Sequence, residues 1–388
     1  MIIDSDGHLY EPPDMWATHM PASERHLALS VEVDDLGYSI LHHGGAPTST
    51  MVHVTVPGDF EAQGHATAGR RAGIPNAGLR LADLPATYWE PRARAEATRE
   101  WGIDVAVLFP QTGFIWEYSL EDDLESTRAN MAAWNRWAVE VTQDGGGRLQ
   151  PVGHVSLQGD TAWLAEQLAT LARGGVRLAM FSPMLMNGKR MSHPDHDDIW
   201  RLFVDHDVTP AWHVNFRMAS IFDNYAAWTD NDTDSFLKVV TGIFQPVSVQ
   251  MGLADLAANG VFARFPELNV VIAEVGTHWL PSMLRRLDNI YRLHGLVHGR
   301  ELTPELELTP SGYIRRQVLN VCSFPTDAEA SLLTEAPENF AFGADWPHPE
   351  GLATPLDDYQ AILGDVDEVI AKKFYGSNMG RILQLTDS

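Results

Sequence analysis

Residues 1–12 read MIIDSDGHLYEP, an apolar opening that runs directly into polar side chains able to bind a metal. The apolar opening predicts a short buried strand, and Asp6 and His8 stand near its C-terminal end. Because side chains alternate along a strand, Asp6 and His8 point to the same side and can bind one ion. The same letters also fit a solvated turn with a surface histidine, so both interpretations stay open at this point.

The composition excludes several classes of partner. The chain has 388 residues, of which 45% are hydrophobic, enough for a large core. With 27 Lys and Arg against 52 Asp and Glu, the formal net charge is −25, so polyanions are repelled along most of the surface. We therefore expect neither nucleic acid nor an anionic membrane as a partner.

The N-terminus and the single cysteine bear on cellular location. Asp4 and Asp6 interrupt the region in which a signal peptide needs basic and then apolar residues. No apolar run approaches the ~20 residues that a membrane-spanning helix requires. Cys322 stands alone, which excludes an internal disulfide and a cysteine-based zinc site. We expect a cytoplasmic protein in which any metal is bound by histidines and carboxylates.

From about residue 101 onward, apolar runs alternate with helical patterns. Residues 105–109 form a continuous apolar run, as a strand buried on both faces should. Further strands are expected at 149–157, 176–181, 208–216, 270–275, 318–324 and 340–344, and helices at 121–143, 162–171, 199–205, 235–262 and 279–293. With the first strand this gives eight β units, which predicts an α/β fold, specifically a (β/α)8 TIM barrel in a single domain, 1–388. No glycine-rich dinucleotide motif follows the first strand, which argues against an open doubly wound sheet.

The region 12–100 does not follow this alternation and is rich in Pro, Gly and His. Within it, residues 27–33 and 38–41 alternate well enough to predict a hairpin around residues 34–37. We interpret the region as an insertion that lies over one mouth of the barrel.

Polar side chains recur where the predicted strands end. In a barrel these ends lie at one rim, which is where active sites form. Each residue alone has a plain structural explanation: His154 and His213 fit a core, and Asp345 fits a helix cap. Their coincidence at one rim favours a shared site. The candidates are Asp6, His8, His154, His213, Glu274, His278, Asp345 and His348.

Four motifs in this order resemble the amidohydrolase superfamily, in particular the amidohydrolase-related branch that includes aminocarboxymuconate-semialdehyde and resorcylate decarboxylases. The resemblance covers nearly the whole chain. The motifs are Asp4-Ser-Asp-Gly-His8 with Glu11-Pro12, Trp101-Gly-Ile-Asp-Val-Ala-Val-Leu-Phe-Pro110, Glu274-Val-Gly-Thr-His-Trp279 leading to Arg286-Leu-Asp288, and Gly343-Ala-Asp-Trp-Pro-His348.

The resemblance implies a metal site made of residues at the strand ends. Carried over by position, the family's ligands fall on Asp6, His8, His213, Glu274 and Asp345. Asp6 and Glu274 depart from the family pattern, because each is a carboxylate where histidine is common. Carboxylates make a site harder, which shifts the expected metal from Zn²⁺ toward Mn²⁺ or Fe²⁺. No lysine is placed to act as a carbamate bridge.

Further donors leave the number of ions open. Glu274, His278 and His348 together offer enough ligands for a second ion, with a carboxylate as bridge. The expected cofactor is therefore one or two divalent ions of zinc, manganese or iron.

Two classes of function follow. The leading prediction is hydrolysis or decarboxylation of a small organic substrate that is apolar or aromatic and bears a carboxylate, with the metal activating water or holding the carboxylate. Asp345 would be ligand and proton shuttle, with Glu274 or His348 as acid or base. The alternative is a non-haem iron monooxygenase, with one or two irons, that hydroxylates an apolar substrate with O₂. A homodimer is ordinary for this group.

Overall fold

In a computed structural model of the protein, residues 1–214, 243–244, 246–304, 306–323, 329–364 and 366–385 are described. The strands in these ranges are β1 (Ile3–Leu9), β2 (Ser30–Val33), β3 (Ser39–His43), β4 (Ala46–Met51), β5 (Val105–Pro110), β6 (Leu149–Pro151), β7 (Gly153–His154), β8 (Leu178–Met180), β9 (Thr209–Trp212), β10 (Val270–Ile272), β11 (Val318–Cys322) and β12 (Phe340–Phe342).

Helices separate most of the strands that follow β5. In the described ranges the α-helices are α1 (Met15–Thr18), α2 (Phe60–Arg71), α3 (Pro91–Glu100), α4 (Gly113–Trp116), α5 (Leu124–Asp144), α6 (Thr161–Arg173), α7 (Asp197–His206), α8 (Pro246–Ala258), α9 (Val261–Arg264), α10 (Trp279–His298), α11 (Pro310–Gln317), α12 (Glu329–Glu335), α13 (Pro355–Leu363), α14 (Glu368–Lys372) and α15 (Asn378–Leu383). Shorter turns of other helix types are Arg25–Leu27, Leu81–Asp83, Ala86–Tyr88, Glu117–Leu120, Pro194–His196 and Lys373–Ser377.

The strands that alternate with helices are parallel, as the sequence predicts. One sheet has the order β1-β5-β6, and a second has the order β12-β11-β10-β9-β8-β7. Only Val152 separates β6 from β7, so a single extended segment belongs to both sheets. The α/β architecture with parallel strands is therefore confirmed.

One face of these strands forms an inner apolar cluster. Alternate residues of β5 contribute to it, as expected for side chains that point to opposite faces of a strand. The cluster contains Ile3, Val105, Val107, Phe109, Val152, Leu178, Met180, Ala211, Val271, Ala273, Leu319, Val321 and Ala341. The opposite faces pack against the surrounding helices, so these strands are buried on both sides.

The first and last parallel strands lie next to each other beyond the end of β12. Gly7 forms a parallel bridge with Trp346, and the His8 amide donates to the Trp346 carbonyl at 2.8 Å. The Asp4 carboxylate accepts from the Ala344 amide at 2.8 Å. These contacts bring residues near the two ends of the chain to one place.

The predicted hairpin in the N-terminal region is present. Strands β2 and β3 are antiparallel with Ser30 opposite His42, and β4 extends them to a three-stranded sheet. The segment after β4 is tied to the rest of the fold by two hydrogen bonds, from the Tyr10 hydroxyl to the His53 carbonyl at 2.8 Å and from the Gly58 amide to the Pro349 carbonyl at 2.7 Å.

Several strands are shorter than the sequence predicts. The runs 270–275 and 340–344 are strands only at Val270–Ile272 and Phe340–Phe342, because the chain turns at Glu274 and Asp345, which have positive φ angles. The expected strand and helix residues 215–216, 235–242 and 324 lie outside the described residues. No helix in the described part of the chain is long and apolar enough to cross a membrane.

Glu11 ties the end of β1 to the loop after β5 and carries a pH dependence. Both oxygens of its buried carboxylate lie 3.1 Å from the Thr112 amide. Burial raises the pKa of Glu11 from 4.5 to about 7, although the hydrogen bonds from Thr112 oppose the shift. Because the pKa is higher in the folded protein, the stability that protonation contributes is complete below about pH 4.5 and is lost as the pH rises through about 7.

Replacement of Glu11 by Gln should therefore change stability in a pH-dependent way. Glutamine keeps the shape of the side chain and cannot ionise, so the free energy of unfolding of Glu11→Gln relative to the wild type should rise from pH 5 to pH 8. Urea denaturation at several pH values measures this difference, with Glu301→Gln at an exposed position as the control. A difference that is constant or falls over this range would contradict the prediction.

Candidate metal centre

Strand β1 delivers the first two candidate ligands to the rim of the parallel sheets. Its pairing with β5 is shifted between Asp4 and Gly7, and both Asp6 and His8 end up buried. The His8 Nε2 atom lies 3.9 Å from the Asp6 Oδ1 atom, so one ion can contact both. The solvated-turn interpretation of these residues is thereby excluded.

His213 and Glu274 come from two neighbouring strands. His213 follows β9 and continues the inward alternation of Ala211, and Glu274 stands two residues beyond β10. The His213 Nε2 atom lies 3.1 Å from the Glu274 Oε2 atom and 3.5 Å from the Asp6 Oδ1 atom. These two residues therefore extend the pair on β1 across the rim.

Asp345 and His348 complete the cluster from the turn that follows β12. The Asp345 Oδ1 atom lies 3.2 Å from His8 Nε2 and 2.9 Å from His348 Nδ1. His348 Nδ1 is also 3.8 Å from Glu274 Oε2. Two groups with metal-ligand spacing result, and they share His8: one is His8, Glu274, Asp345 and His348, and the other is Asp6, His8 and His213.

The hydrogen bonds of the cluster indicate whether its residues fit a cation, because ligand atoms without a hydrogen-bond partner are free to bind one. Buried polar atoms are almost always paired in folded proteins, and leaving one unpaired costs ~1–3 kcal/mol. Among the described residues, several ligand atoms of this cluster are buried and have no hydrogen-bond partner. They are Asp6 Oδ1, His8 Nδ1 and Nε2, Glu274 Oε2, both carboxylate oxygens of Asp345, and His348 Nδ1. A divalent ion would satisfy oxygen and nitrogen atoms of this kind, so the donor set fits a metal.

The pKa values of the cluster follow from burial and mutual repulsion. Burial, and then the charge of Asp345, raise the pKa of Glu274 well above its usual value. Burial, and then Asp6, likewise raise the pKa of Asp345. Burial, followed by His348 and His213, lowers the pKa of His8, so this imidazole is neutral and its nitrogen lone pair is available to a metal.

Two of the carboxylates sit on an unusual backbone. Glu274 has φ 56° and Asp345 has φ 51°, in the left-handed region that residues with a Cβ rarely occupy. Such conformations cost of order 1–3 kcal/mol each and concentrate at functional sites. Here they turn the chain sharply after β10 and β12, which directs both carboxylates toward His8.

His278 and His154 lie outside the cluster. His278 directly precedes α10, where its side chain is exposed, and it belongs to neither group with metal-ligand spacing. The role of His278 as a donor to a second ion stays a prediction. The buried His154 side chain forms a hydrogen bond with Glu117, with 2.6 Å between His154 Nε2 and Glu117 Oε1.

Two residues that contact the cluster were not recognised from the sequence. The Gln111 side chain lies 3.0 Å from His348 Nε2, so it orients this ring with Nδ1 toward Asp345. The Ser323 hydroxyl donates to Asp6 Oδ2. Both residues directly follow β5 or β11, so their position at a strand end was an available signal.

Arg94 lies behind the cluster. It does not follow a strand, so its position in the sequence did not indicate a place near the site. Its side chain is completely buried, and within the described residues its guanidinium has no hydrogen-bond partner. The guanidinium carbon stands 4.0 Å from the centre of the Trp346 ring, a cation–π contact. Burial lowers the pKa of Arg94 to about 9, so it is still charged at neutral pH.

Comparison with known proteins places these features in a family. The sequence profile described as amidohydrolase matches residues 3–385. No curated protein matches the chain significantly.

Solved structures share this fold over their whole length. An amidohydrolase from Mycobacterium avium subsp. paratuberculosis K-10 has a TM-score of 0.77 at 23% identity, with 98% of each chain covered. The 5-carboxyvanillate decarboxylase from Novosphingobium aromaticivorans DSM 12444, with bound manganese and 3-methoxy-4-hydroxy-5-nitrobenzoic acid, has a TM-score of 0.68 at 18% identity, covering 99% of this chain and 97% of that chain. A 2,6-dihydroxybenzoate decarboxylase in complex with 2,6-dihydroxybenzoate has a TM-score of 0.66 at 16% identity, covering 99% and 98%.

At these identities the solved structures show a common fold, whereas the sequence profile extends over nearly all of this chain. Three of the four motifs that carry the resemblance supply clustered side chains, namely Asp6 and His8, Glu274, and Asp345 with His348. The chain belongs to the amidohydrolase family, and it is an enzyme of the hydrolase or decarboxylase type.

Proposed function

We propose that this protein is a divalent-metal-dependent decarboxylase of a small, apolar or aromatic carboxylate. The observation that carries the proposal is the set of buried, unpaired ligand atoms from β1, β10 and the turn after β12. The manganese and the benzoate-type ligands bound by structural neighbours support decarboxylation over hydrolysis. Hydrolysis by the same metal centre is the outcome that an assay must distinguish.

The ligand set is proposed from the distances. Asp6 Oδ1 and Asp345 Oδ1 lie 3.9 and 3.2 Å from His8 Nε2, and His213 Nε2 lies 3.5 Å from Asp6 Oδ1, so these four residues would hold the ion near His8. Glu274 and His348 flank this point at 4.0 Å or less from a ligand atom, and they would complete the coordination or exchange protons. When bound, the ion would act as a Lewis acid on the carboxylate and a neighbouring oxygen of the substrate.

Proton transfer falls to the flanking residues. When a substrate loses CO₂, the electron pair of the broken bond stays on carbon, which then needs a proton. Glu274 lies within 4 Å of both His213 and His348, so it is placed to donate this proton as the acid. His348 would then restore the proton, because Gln111 holds its ring with Nδ1 toward Asp345.

The identity and number of the metal ions are proposed from the donors. Carboxylate oxygens favour Mn²⁺ or Fe²⁺ over Zn²⁺, and two solved neighbours contain manganese. One ion at the overlap around His8 is the simplest arrangement. A second ion would use Glu274 and His348 and would raise the metal content per chain.

The closed barrel is also a proposal. The adjacency of β6 to β7 and the bridge from Gly7 to Trp346 would join the two parallel sheets into one ring. In that fold the chain 1–388 is a single domain, and the region 12–100, with its antiparallel sheet, is an insertion at the mouth. The homodimer is predicted only from the resemblance and stays a prediction. No finding favours the alternative function, a non-haem iron monooxygenase.

Replacement of His213 by alanine should abolish metal binding. The change removes the Nε2 atom that lies near both Asp6 and Glu274, so a cation would lose one of its proposed ligands. Elemental analysis after anaerobic purification and Mn²⁺ loading should find stoichiometric metal in the wild type and only a small fraction in the variant. His26→Ala, at an exposed position, is the control. Full occupancy in His213→Ala would contradict the assignment.

Conversion of Glu274 to Gln should separate metal binding from chemistry. Glutamine keeps the size of the side chain and removes its ionisable proton, so metal content should be retained while kcat falls by about 100-fold or more. CO₂ release from a panel of hydroxylated benzoates by the Mn²⁺-loaded protein under nitrogen provides the assay.

The assay also decides between the enzymatic classes. Turnover of the wild type without CO₂, seen as cleavage of an ester or amide, would replace decarboxylation by hydrolysis. A wild-type protein that takes up no divalent ion would overturn the proposed function. Unchanged kcat in Glu274→Gln would remove Glu274 from the proton transfer.

A further inference from the structure

A cavity of about 680 Å³ lies beside the antiparallel sheet, between the segment that follows β4, helix α2 and residues 74–80. This volume falls in the range of small-molecule sites, which are concave and mostly apolar. Three of the exposed large hydrophobic side chains of the protein, Val56, Ile74 and Leu79, line it. Apolar surface is thus left uncovered at one concave place, as expected of a binding site.

Helix α2 keeps the cavity open because it presents small side chains to it. Ala62, Ala66 and Gly69 recur at the spacing of one helix face, and all three line the cavity. A Cβ at Gly69 would stand 2.9 Å from the Tyr38 hydroxyl, so glycine lets the helix approach β3 closely. Larger residues on this face would fill the space.

The cavity adjoins the metal centre through the segment after β4. The segment lines the cavity with Val56 and His53, and the His53 carbonyl accepts a hydrogen bond from the hydroxyl of Tyr10, just beyond β1, at 2.8 Å. Five residues after His53, the Gly58 amide donates to the carbonyl of Pro349, the residue next to His348.

We infer that this cavity is the subsite for the apolar part of the substrate, whose carboxylate lies at the metal centre. The substrate class is then a monocarboxylate with an extended alkyl or aryl-alkyl chain, longer than a bare benzoate ring. This inference rests on the proposed function, because the metal centre supplies the anchor for the carboxylate. The lining near α2 selects for apolar groups, and polar residues such as Asp59, Asn76 and Arg80 lie among the remaining lining residues.

The length of the alkyl chain of a carboxylate ligand provides the test. Isothermal titration calorimetry of the Mn²⁺-loaded full-length protein with straight-chain monocarboxylates of increasing length, from acetate to decanoate, measures Kd. Each methylene that moves from water into the cavity should tighten binding by about fourfold once the chain reaches past His53. Affinity that does not change with chain length would overturn the inference.

Variants of α2 test whether the alkyl chain of the ligand binds in the cavity. Ala66→Trp fills the cavity from the helix, so it should abolish the dependence on chain length and leave the Kd of acetate and the Mn²⁺ content unchanged. Gly64→Trp is the matched control, because Gly64 does not line the cavity and a Cβ there meets no atom within 4 Å. The smaller change Ala66→Leu should give an intermediate slope, so the result does not depend on one bulky variant.

The outcomes separate the two proposals. If the wild type takes up no Mn²⁺, the proposed function fails and the inference fails with it. If Mn²⁺ and acetate bind but Ala66→Trp keeps the full dependence on chain length, the metal centre stands and the cavity is not the subsite. Loss of the dependence in Ala66→Trp alone, with Gly64→Trp like the wild type, supports the subsite.

Discussion

The crowding of buried ligand atoms around His8 is the constraint on which the rest of the structure depends. Asp6, Glu274 and Asp345 place carboxylates within 4.0 Å of its Nε2 atom, in surroundings from which water is excluded. Without a cation, burying these carboxylates so close together is costly, and the raised pKa values of Glu274 and Asp345 express this cost. A divalent ion removes the repulsion and satisfies the same atoms, so metal binding and stability of this rim are linked.

The ligands also join distant parts of the chain. Asp6 and His8 lie in the first strand, and Asp345 and His348 lie beyond the last, so an ion at this place links the beginning and the end of the fold. The backbone contact between His8 and Trp346 holds these segments together from one side. The Arg94 guanidinium stacks on the Trp346 ring. Its positive charge also offsets part of the negative charge of Asp4.

Sequence patterns were sufficient to predict the parallel α/β architecture and the donors that cluster at the strand ends, but not the side chains that contact this cluster. Continuous apolar runs predicted the parallel strands because strands buried on both faces leave that pattern, and residues at strand ends, such as His213 and Glu274, share a rim in such folds. Which residue faces the rim depends on one turn of the backbone: the positive φ of Glu274 directs it inward, whereas His278 starts a helix and is exposed. Arg94 resembles a surface residue of a charged helix, and only tertiary packing buries it.

The segment after β4 connects the N-terminal region to the rim. Its hydrogen bonds to Tyr10, just beyond β1, and to Pro349, next to His348, attach it to both sides of the metal centre. The Tyr88 hydroxyl adds a third attachment by donating to the Thr55 carbonyl at 3.2 Å. Because these bonds fix its position, the segment forms a well-defined part of the cavity lining next to the rim. The N-terminal region would therefore set which substrates reach the metal, while the strand ends set what is done to them.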